Sequence, residues 1–242
     1  MPTPSAAEIS VVIPARNEAD NLPILIDEIR SAFEPRGIEI VVVDDGSTDS
    51  TPSVLEKLAS EDQRIRFVRH ARSCGQSGAL WTGVRAARAP IVATLDGDGQ
   101  NDPAFLPALV DCLSDQQVGI AAGQRTGRRD SKLKQVSSRI ANKVRGAMLK
   151  DGTRDSGCGL KAFRREAFME LPYFQGLHRF LPALFVGDGW KVAHVDVKDR
   201  SRRHGTSNYG ILDRLAVGIL DLFGVWWLIR RRERHPLKLS KD

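Results

Sequence analysis

The sequence predicts an α/β fold with a mostly parallel sheet flanked by helices, and three observations predict it. Short apolar, β-branched runs recur through the first half of the chain. Helical apolar periodicity fills the intervals between them, and Asp, Asn and Gly cluster just after the runs. Strands alternating with helices imply right-handed crossovers and parallel neighbours. Ligands of such sheets bind beyond the carboxyl ends of the strands, where the polar clusters fall.

Each element follows in order. Residues 1–8, MPTPSAAE, have neither a basic start nor an apolar run, so they read as a flexible end without a secretory signal. Runs at 9–13, 38–43, 65–68, 91–95 and 118–122 are each short enough for a buried strand. Leu22, Leu25, Ile26, Ile29 and Phe33 follow the i, i+3, i+4, i+7 pattern of a helix, with Asp20 and Asn21 as its caps. Asp102 and Pro103 open another helix, carried by Phe105, Leu106, Leu109, Val110 and Leu113. Beyond residue 123 come a basic, helix-prone stretch at 127–150 and a Gly-rich turn at 155–160. A length of 242 residues favours one large core over two. The expected organisation is a main domain over 9–209 and an appendage over 210–242.

Composition narrows the partners. Thirty-six Lys and Arg against 30 Asp and Glu leave a net charge of +6, which favours anionic ligands such as phosphates or lipid headgroups. Nucleic acid is not expected, because the basic run from Arg125 to Arg145 lacks interleaved aromatics. Cys74, Cys112 and Cys158 are widely spaced and fit a reducing, cytoplasmic setting rather than a disulfide framework. His178 and His204 have no partner at ligand spacing, so metal binding is not expected of them.

The chemistry-bearing segments sit at strand ends. Asp96-Gly97-Asp98-Gly99-Gln100 places two carboxylates one residue apart, with glycines that admit a bulky ligand. Hard oxygen ligands of this kind suit Mg²⁺ or Mn²⁺ with substrate phosphates; a solvated acidic turn is the plain alternative. Pro14, Ala15, Asn17 and Glu18 end the first strand, and Asp44 and Asp45 end the second. Their side chains can accept from ribose hydroxyls and a base edge, or cap helices, and for Asp49 the cap is preferred. Gly75 opens a small-residue turn where backbone N–H groups could approach a phosphate or base.

Eight strings in register, VVIPARNEADNL, VVVDDGSTDST, CGQSGAL, LDGDGQNDP, AAGQRTGRRDS, DSGCGLKAFRR, GLHRFLPAL and RRHGTSNYG, resemble the family 2 glycosyltransferases. The branch is that of dolichol-phosphate mannosyltransferase and bacterial polyprenyl-phosphate glycosyltransferases, and the resemblance covers residues 9–209. It implies a GT-A fold, an inverting mechanism and a GDP- or UDP-linked sugar donor bound by 14–18, Asp44 and Asp45. It also implies a metal on Asp96, Asp98 and Gln100, and a polyprenyl phosphate acceptor. Arg125 and Arg139 match positions facing the diphosphate and the acceptor phosphate. Arg202 and Ser207 lie in a matching RxxGxSxY loop that closes over the donor. Asp155, in the DSG turn, is expected to orient sugar or acceptor, or to serve as base if the acceptor is a hydroxyl. A binding module without turnover is a third reading. The sequence departs from the pattern at Ala15-Arg16, Ser73 and Cys158, where the family carries an aromatic, Asn and an aromatic.

The tail stretch at 215–229, LAVGILDLFGVWWLI, is shorter than the ~20 apolar residues needed to span a bilayer, and Arg230, Arg231, Arg232 and Arg234 follow it. An amphipathic helix lying on the inner membrane face is one reading. A helix packed in the core or in a homo-oligomer seam is the other.

Overall fold

The computed structural model describes residues 7–126, 144–200 and 211–232, with the backbone alone for 211–217. Five strands match the expected runs: β1 (Ile9–Ala15), β2 (Ile38–Asp44), β3 (Ile65–Arg69), β4 (Ile91–Thr94) and β5 (Val118–Arg125). Two more, β6 (Lys161–Arg164) and β7 (Lys191–Val197), complete a seven-stranded sheet of order β3-β2-β1-β4-β6-β5-β7. Only β6 runs antiparallel to its neighbours. The chain steps outward from β1 to β2 and β3, then returns to place β4 on the other side of β1. A topological switch point therefore lies between the ends of β1 and β4, where such sheets bind ligands.

Helices cover both faces: α1 (Leu22–Phe33), α2 (Thr51–Glu61), α3 (Gly75–Ala86), α4 (Leu106–Asp111), α5 (144–149), α6 (Arg165–Met169), α7 (Leu181–Gly187) and α8 (Ile211–Arg231). Val11, Ile13, Ile40 and Val42 meet the buried stripes of α1 and α4 on one side. Val12, Val41, Val92 and Phe163 meet α3, α6 and α7 on the other. Burial on both faces is the reason the strands read as unbroken apolar runs. Each fully buried Leu or Ile contributes about 1.5–3 kcal/mol relative to exposure. A Cβ at Gly83 would lie 2.4 Å from a methyl of Val12, so glycine lets α3 sit directly on β1.

Two local expectations differ from the structure. Asn21 occupies the N-cap position of α1 but makes no side-chain cap; its Nδ2 donates to Glu18 Oε2 at 2.6 Å instead. The helix expected after Asp102 is divided into a 3-10 turn Pro103–Phe105, α4, and a second turn Cys112–Ser114. Pro107 has no N–H for the carbonyl of Pro103, which accepts from Leu106 N instead and so closes a 3-10 turn before α4. Asp102 does cap, accepting from Ala104 N at 3.0 Å. Asp49 likewise accepts from Thr51 N at the start of α2.

Along α8, Val225 is buried and Leu222, Trp226, Leu228 and Ile229 pack on the second core. The packing reading of the tail thus holds for one face of this helix. Among the described residues, no helix is long and apolar enough to cross a membrane.

Candidate active site

The segment after β4 lies on the end of β1. Gly97 N donates to Pro14 O at 3.2 Å, and a Cβ at 97 would come within 3.2 Å of the Ala15 side chain. A side chain there would press on that backbone, so glycine eases the close approach. Asp96 is thereby held beside Pro14, in a recess shared with Gln76, Gly159, Lys161 and His178. Gln76 Nε2 donates to Asp96 Oδ1 at 2.6 Å, and Asp96 N donates to Asn101 Oδ1 at 3.1 Å. Asp98 Oδ1 accepts from Gln100 N at 3.1 Å, and its carboxylate is close enough for its charge to bear on Asp96.

Burial first, and then the Asp98 carboxylate, push Asp96 up to about 6; Lys161, Arg125 and the Gln76 amide oppose the rise. Two carboxylates that repel each other, one of them lining the recess, form a hard-oxygen set of the kind that Mg²⁺ or Mn²⁺ takes. Burial lowers Lys161, while Cys158, Asp96 and Asp155 favour its charge; its ammonium donates to Cys158 O. His178 is depressed to about 3 by burial, then by Lys161 and Arg179, and is neutral with Nδ1 paired to Ser77 Oγ at 2.7 Å.

The segments ending β1 and β2 are sewn together. Asn17 adopts a positive φ, its N–H donates to Ser47 Oγ at 2.9 Å, and its Oδ1 accepts from Thr48 N at 2.8 Å. Glu18 N donates to Thr51 Oγ1 at 2.9 Å. Asp44 is fully buried and accepts from Ser47 N at 2.9 Å. Asp45 accepts from His70 Nδ1, Ser73 Oγ, Cys74 N and Gly75 N, at 2.6 to 2.9 Å. Burial opposes its charge, but those four donors hold it below the ordinary carboxylate value. Ser73, in place of the family's Asn, therefore still anchors this loop. The N–H of Gly75, expected to face a ligand, is engaged by Asp45 here. Asp45, His70 and Cys74 have ligand-type atoms within 4.8 Å of one another. The four hydrogen bonds on Asp45 account for this cluster without an ion.

On the opposite side, Arg125 ends β5 and forks onto Asp155, with Nε at 2.5 Å and Nη2 at 2.9 Å, while its Nη1 reaches Asp199 at 3.2 Å. Burial works against the guanidinium charge, but the Asp155 pair and Asp199 raise its pKa above the ordinary value. Gln124 Oε1 accepts from Arg154 N and Asp155 N at 2.7 and 3.0 Å, fixing the turn over the sheet edge. The turn continues to Gly159, where a Cβ would lie 2.5 Å from both Asp96 Oδ2 and Asn101 Oδ1.

The structure thus gathers Pro14, Ala15, Asp96, Gly97, Asp98 and Gln100 at the switch point. Asn17, Glu18, Asp44, Asp45 and Gly75 stand on one flank, and Arg125 and Asp155 on the other. Arg139, Arg202 and Ser207 lie outside the described residues. Sequence reasoning missed Gln76, Lys161, His178, Asn101 and Asp199. A lysine at the head of an apolar strand was the available signal for Lys161; the others depend on contacts distant in sequence.

Known proteins resemble this chain in sequence and in fold. The family model described as Glycosyl transferase family 2 matches residues 10–172. A dodecaprenyl-phosphate galacturonate synthase of Rhizobium johnstonii is 34% identical over 233 residues, covering 94% of this chain and 69% of that protein. An undecaprenyl-phosphate 4-deoxy-4-formamido-L-arabinose transferase of Pectobacterium carotovorum is 33% identical over 207 residues, covering 84% of this chain and 63% of the relative. The chain spans between 63% and 69% of the length of these two relatives. Among solved structures, glucosyl-3-phosphoglycerate synthase from Mycobacterium tuberculosis with Mn²⁺, UDP and glucosyl-3-phosphoglycerate superposes with a TM-score of 0.69 at 24% identity. That match covers 93% of this chain and 80% of the other, and it shows the shared GT-A fold.

Proposed function

The chain belongs to glycosyl transferase family 2, and on that premise we propose that it moves a sugar from a GDP- or UDP-linked donor to a polyprenyl phosphate. Transfer proceeds with inversion, at the cytosolic face of a membrane. The observation that carries this reading is the Arg125–Asp155 fork, in which both oxygens of Asp155 accept from one guanidinium. A carboxylate committed in this way has little capacity to take a proton from a hydroxyl acceptor. A phosphate acceptor needs no such base, because it is already an anionic nucleophile at neutral pH. The names of the two relatives, both acting on polyprenyl phosphates, support the same class.

In the reaction, an oxygen of the acceptor phosphate bonds to the anomeric carbon as the bond from that carbon to the nucleoside diphosphate breaks. Asp96 and Asp98, with Gln100, would hold Mg²⁺ or Mn²⁺, which when bound would neutralise charge on the departing diphosphate. Pro14, Ala15, Asn17, Glu18, Asp44, Asp45 and Gly75 frame the nucleoside, and Gly97 keeps the donor path open. Arg125, engaged by Asp155 and Asp199, keeps Asp155 facing the sugar. Arg139 takes the acceptor phosphate, and the loop of Arg202 and Ser207 closes over the donor, with the guanidinium forked on phosphate.

A panel of radiolabelled nucleotide sugars, incubated with polyprenyl phosphate and Mg²⁺ or Mn²⁺, tests the proposal. Label entering the organic phase with one donor is the expected result. Label found only on a water-soluble hydroxyl acceptor, or only as free sugar, would overturn it.

A further inference from the structure

The outward face of α8 reverses the usual order for a surface helix, whose solvent side is polar. Its exposed positions from 219 onward are Ile219, Leu220, Phe223, Gly224 and Trp227, and the next exposed pair is Arg230 and Arg231. Ile219 is 50% exposed, Leu220 72%, Phe223 56% and Trp227 57%. These four side chains lie on one stripe, spaced three to four residues apart, and they account for more than half of the exposed large apolar side chains among the described residues. Arg230 lies over the Trp226 ring at 4.3 Å and Arg231 over Trp227 at 6.0 Å, so the stripe ends in aromatic rings capped by cations.

The inward face is fastened to the core. Gly187 leaves room for Ile229, whose atoms would stand 3.0 Å from a Cβ there. Arg232 pairs with Asp188 at 3.1 Å and donates to Glu170 O. Asp221 Oδ2 would lie 2.8 Å from a Cβ at Gly176, which seats α8 on the turn that carries His178 into the recess beside Asp96.

We infer that the Ile219, Leu220, Phe223 and Trp227 face of α8 lies in the interfacial zone of an anionic lipid bilayer. Its arginines engage the headgroups, and its other face fixes the catalytic recess at the membrane edge. Apolar stripes flanked by Trp and Arg match the layered polarity of that zone, and like-charged arginines complement anionic lipid. Among the described residues no helix is long and apolar enough to cross a bilayer, and an apolar stripe along one face suits a helix at the surface instead. A second copy of the chain fits less well. The four side chains offer roughly 500 Å² at most, short of the ~800 Å² per partner of a stable interface. This surface deepens the lipid-acceptor reading and depends on it for its purpose, though not for its geometry.

The test uses the full chain with protein-free vesicles of 70:30 phosphatidylcholine and phosphatidylglycerol, read by co-sedimentation and by quenching from brominated acyl chains. Binding is expected to be at least tenfold tighter than to pure phosphatidylcholine, with quenching that falls sharply in Trp227→Phe. Leu220→Glu with Phe223→Glu, both exposed and outside the core, is expected to weaken binding at least tenfold. Arg230→Ala and Arg231→Ala are expected to cost about fivefold each, equivalent to about 1 kcal/mol per charge. UDP and Mn²⁺ binding by calorimetry is expected to be unchanged in all of them. Vesicle affinity unmoved by the double Glu variant would overturn the inference. So would attachment only to native membranes, or a concentration-dependent dimer that the same variant dissolves. Vesicle binding without lipid-linked product would instead leave this surface standing and sink the acceptor assignment.

Discussion

Replacing Asp96 with asparagine is expected to stabilise the metal-free protein while abolishing transfer. Burial and the Asp98 carboxylate raise Asp96 from 3.8 to about 6. For an acid raised by folding, the stabilising contribution is complete below the unfolded value and is lost as pH rises through the folded one. The raised Asp96 therefore costs the fold on the order of 1–2 kcal/mol at pH 5, where it is still largely protonated, and about 3 kcal/mol at pH 8, where it is ionised. Asparagine keeps the acceptor for Gln76 Nε2, now 2.6 Å from Asp96 Oδ1, but removes a counter-charge from buried Lys161. The net gain at pH 8 is then about 1–2 kcal/mol, or about 3–6 °C in melting temperature for a chain of this size. His178, depressed to about 3, acts in the opposite sense: its contribution is present above 6.5 and is lost as pH falls. The difference between wild type and Asp96→Asn cancels that effect. Thermal melts of both proteins in EDTA at pH 5, 6.5 and 8 are expected to show a gap that widens with pH. Saturating Mn²⁺ is expected to raise only the wild type. A gap independent of pH, or a variant less stable than wild type at pH 8, would refute the electrostatic account.

Three further outcomes follow, two from the same geometry and the third from the role proposed for Arg202, which lies outside the described residues. Gly159→Ala forces a methyl to 2.5 Å from Asp96 Oδ2 and Asn101 Oδ1, so Mn²⁺ affinity is expected to fall at least tenfold and activity at least 100-fold in a protein that still folds, as calorimetry and circular dichroism would check. Arg125→Ala strands Asp155 and Asp199 and is expected to destabilise by about 2–4 kcal/mol in urea unfolding; the Asp155→Ala double mutant should recover part of that loss if the fork is the cause. Arg202→Lys is expected to reduce kcat at least tenfold although charge is kept, because an ammonium cannot reproduce the fork; unchanged kcat in both Lys and Ala variants would remove this residue from the donor site.

How much of this was legible in advance depends on how local the cause was. Strands β1 to β5 could be read from the sequence because a parallel strand buried on both faces must be apolar along its length. The polar residues of 14–18, 44–49 and 96–100 could be read because they follow those strands without a gap. Strand β6 was hidden, being four residues long and headed by Lys161, and β7 was hidden because its run is broken by His194 and Asp196. The neighbourhood of Asp96 was hidden for a different reason. Gln76, Gly159, Lys161 and His178 come from α3, the 155–160 turn, β6 and the turn before α7, and they converge only because β4 crosses back beside β1. Likewise, the apolar tail admitted either packing or a membrane surface, since both require the same residue types. Only the seating of Val225 and Ile229 against the core determines that Leu220, Phe223 and Trp227 point away from it. Composition along a chain specifies which side chains avoid water; the direction in which a helix must turn to achieve it is set by the surface it lands on.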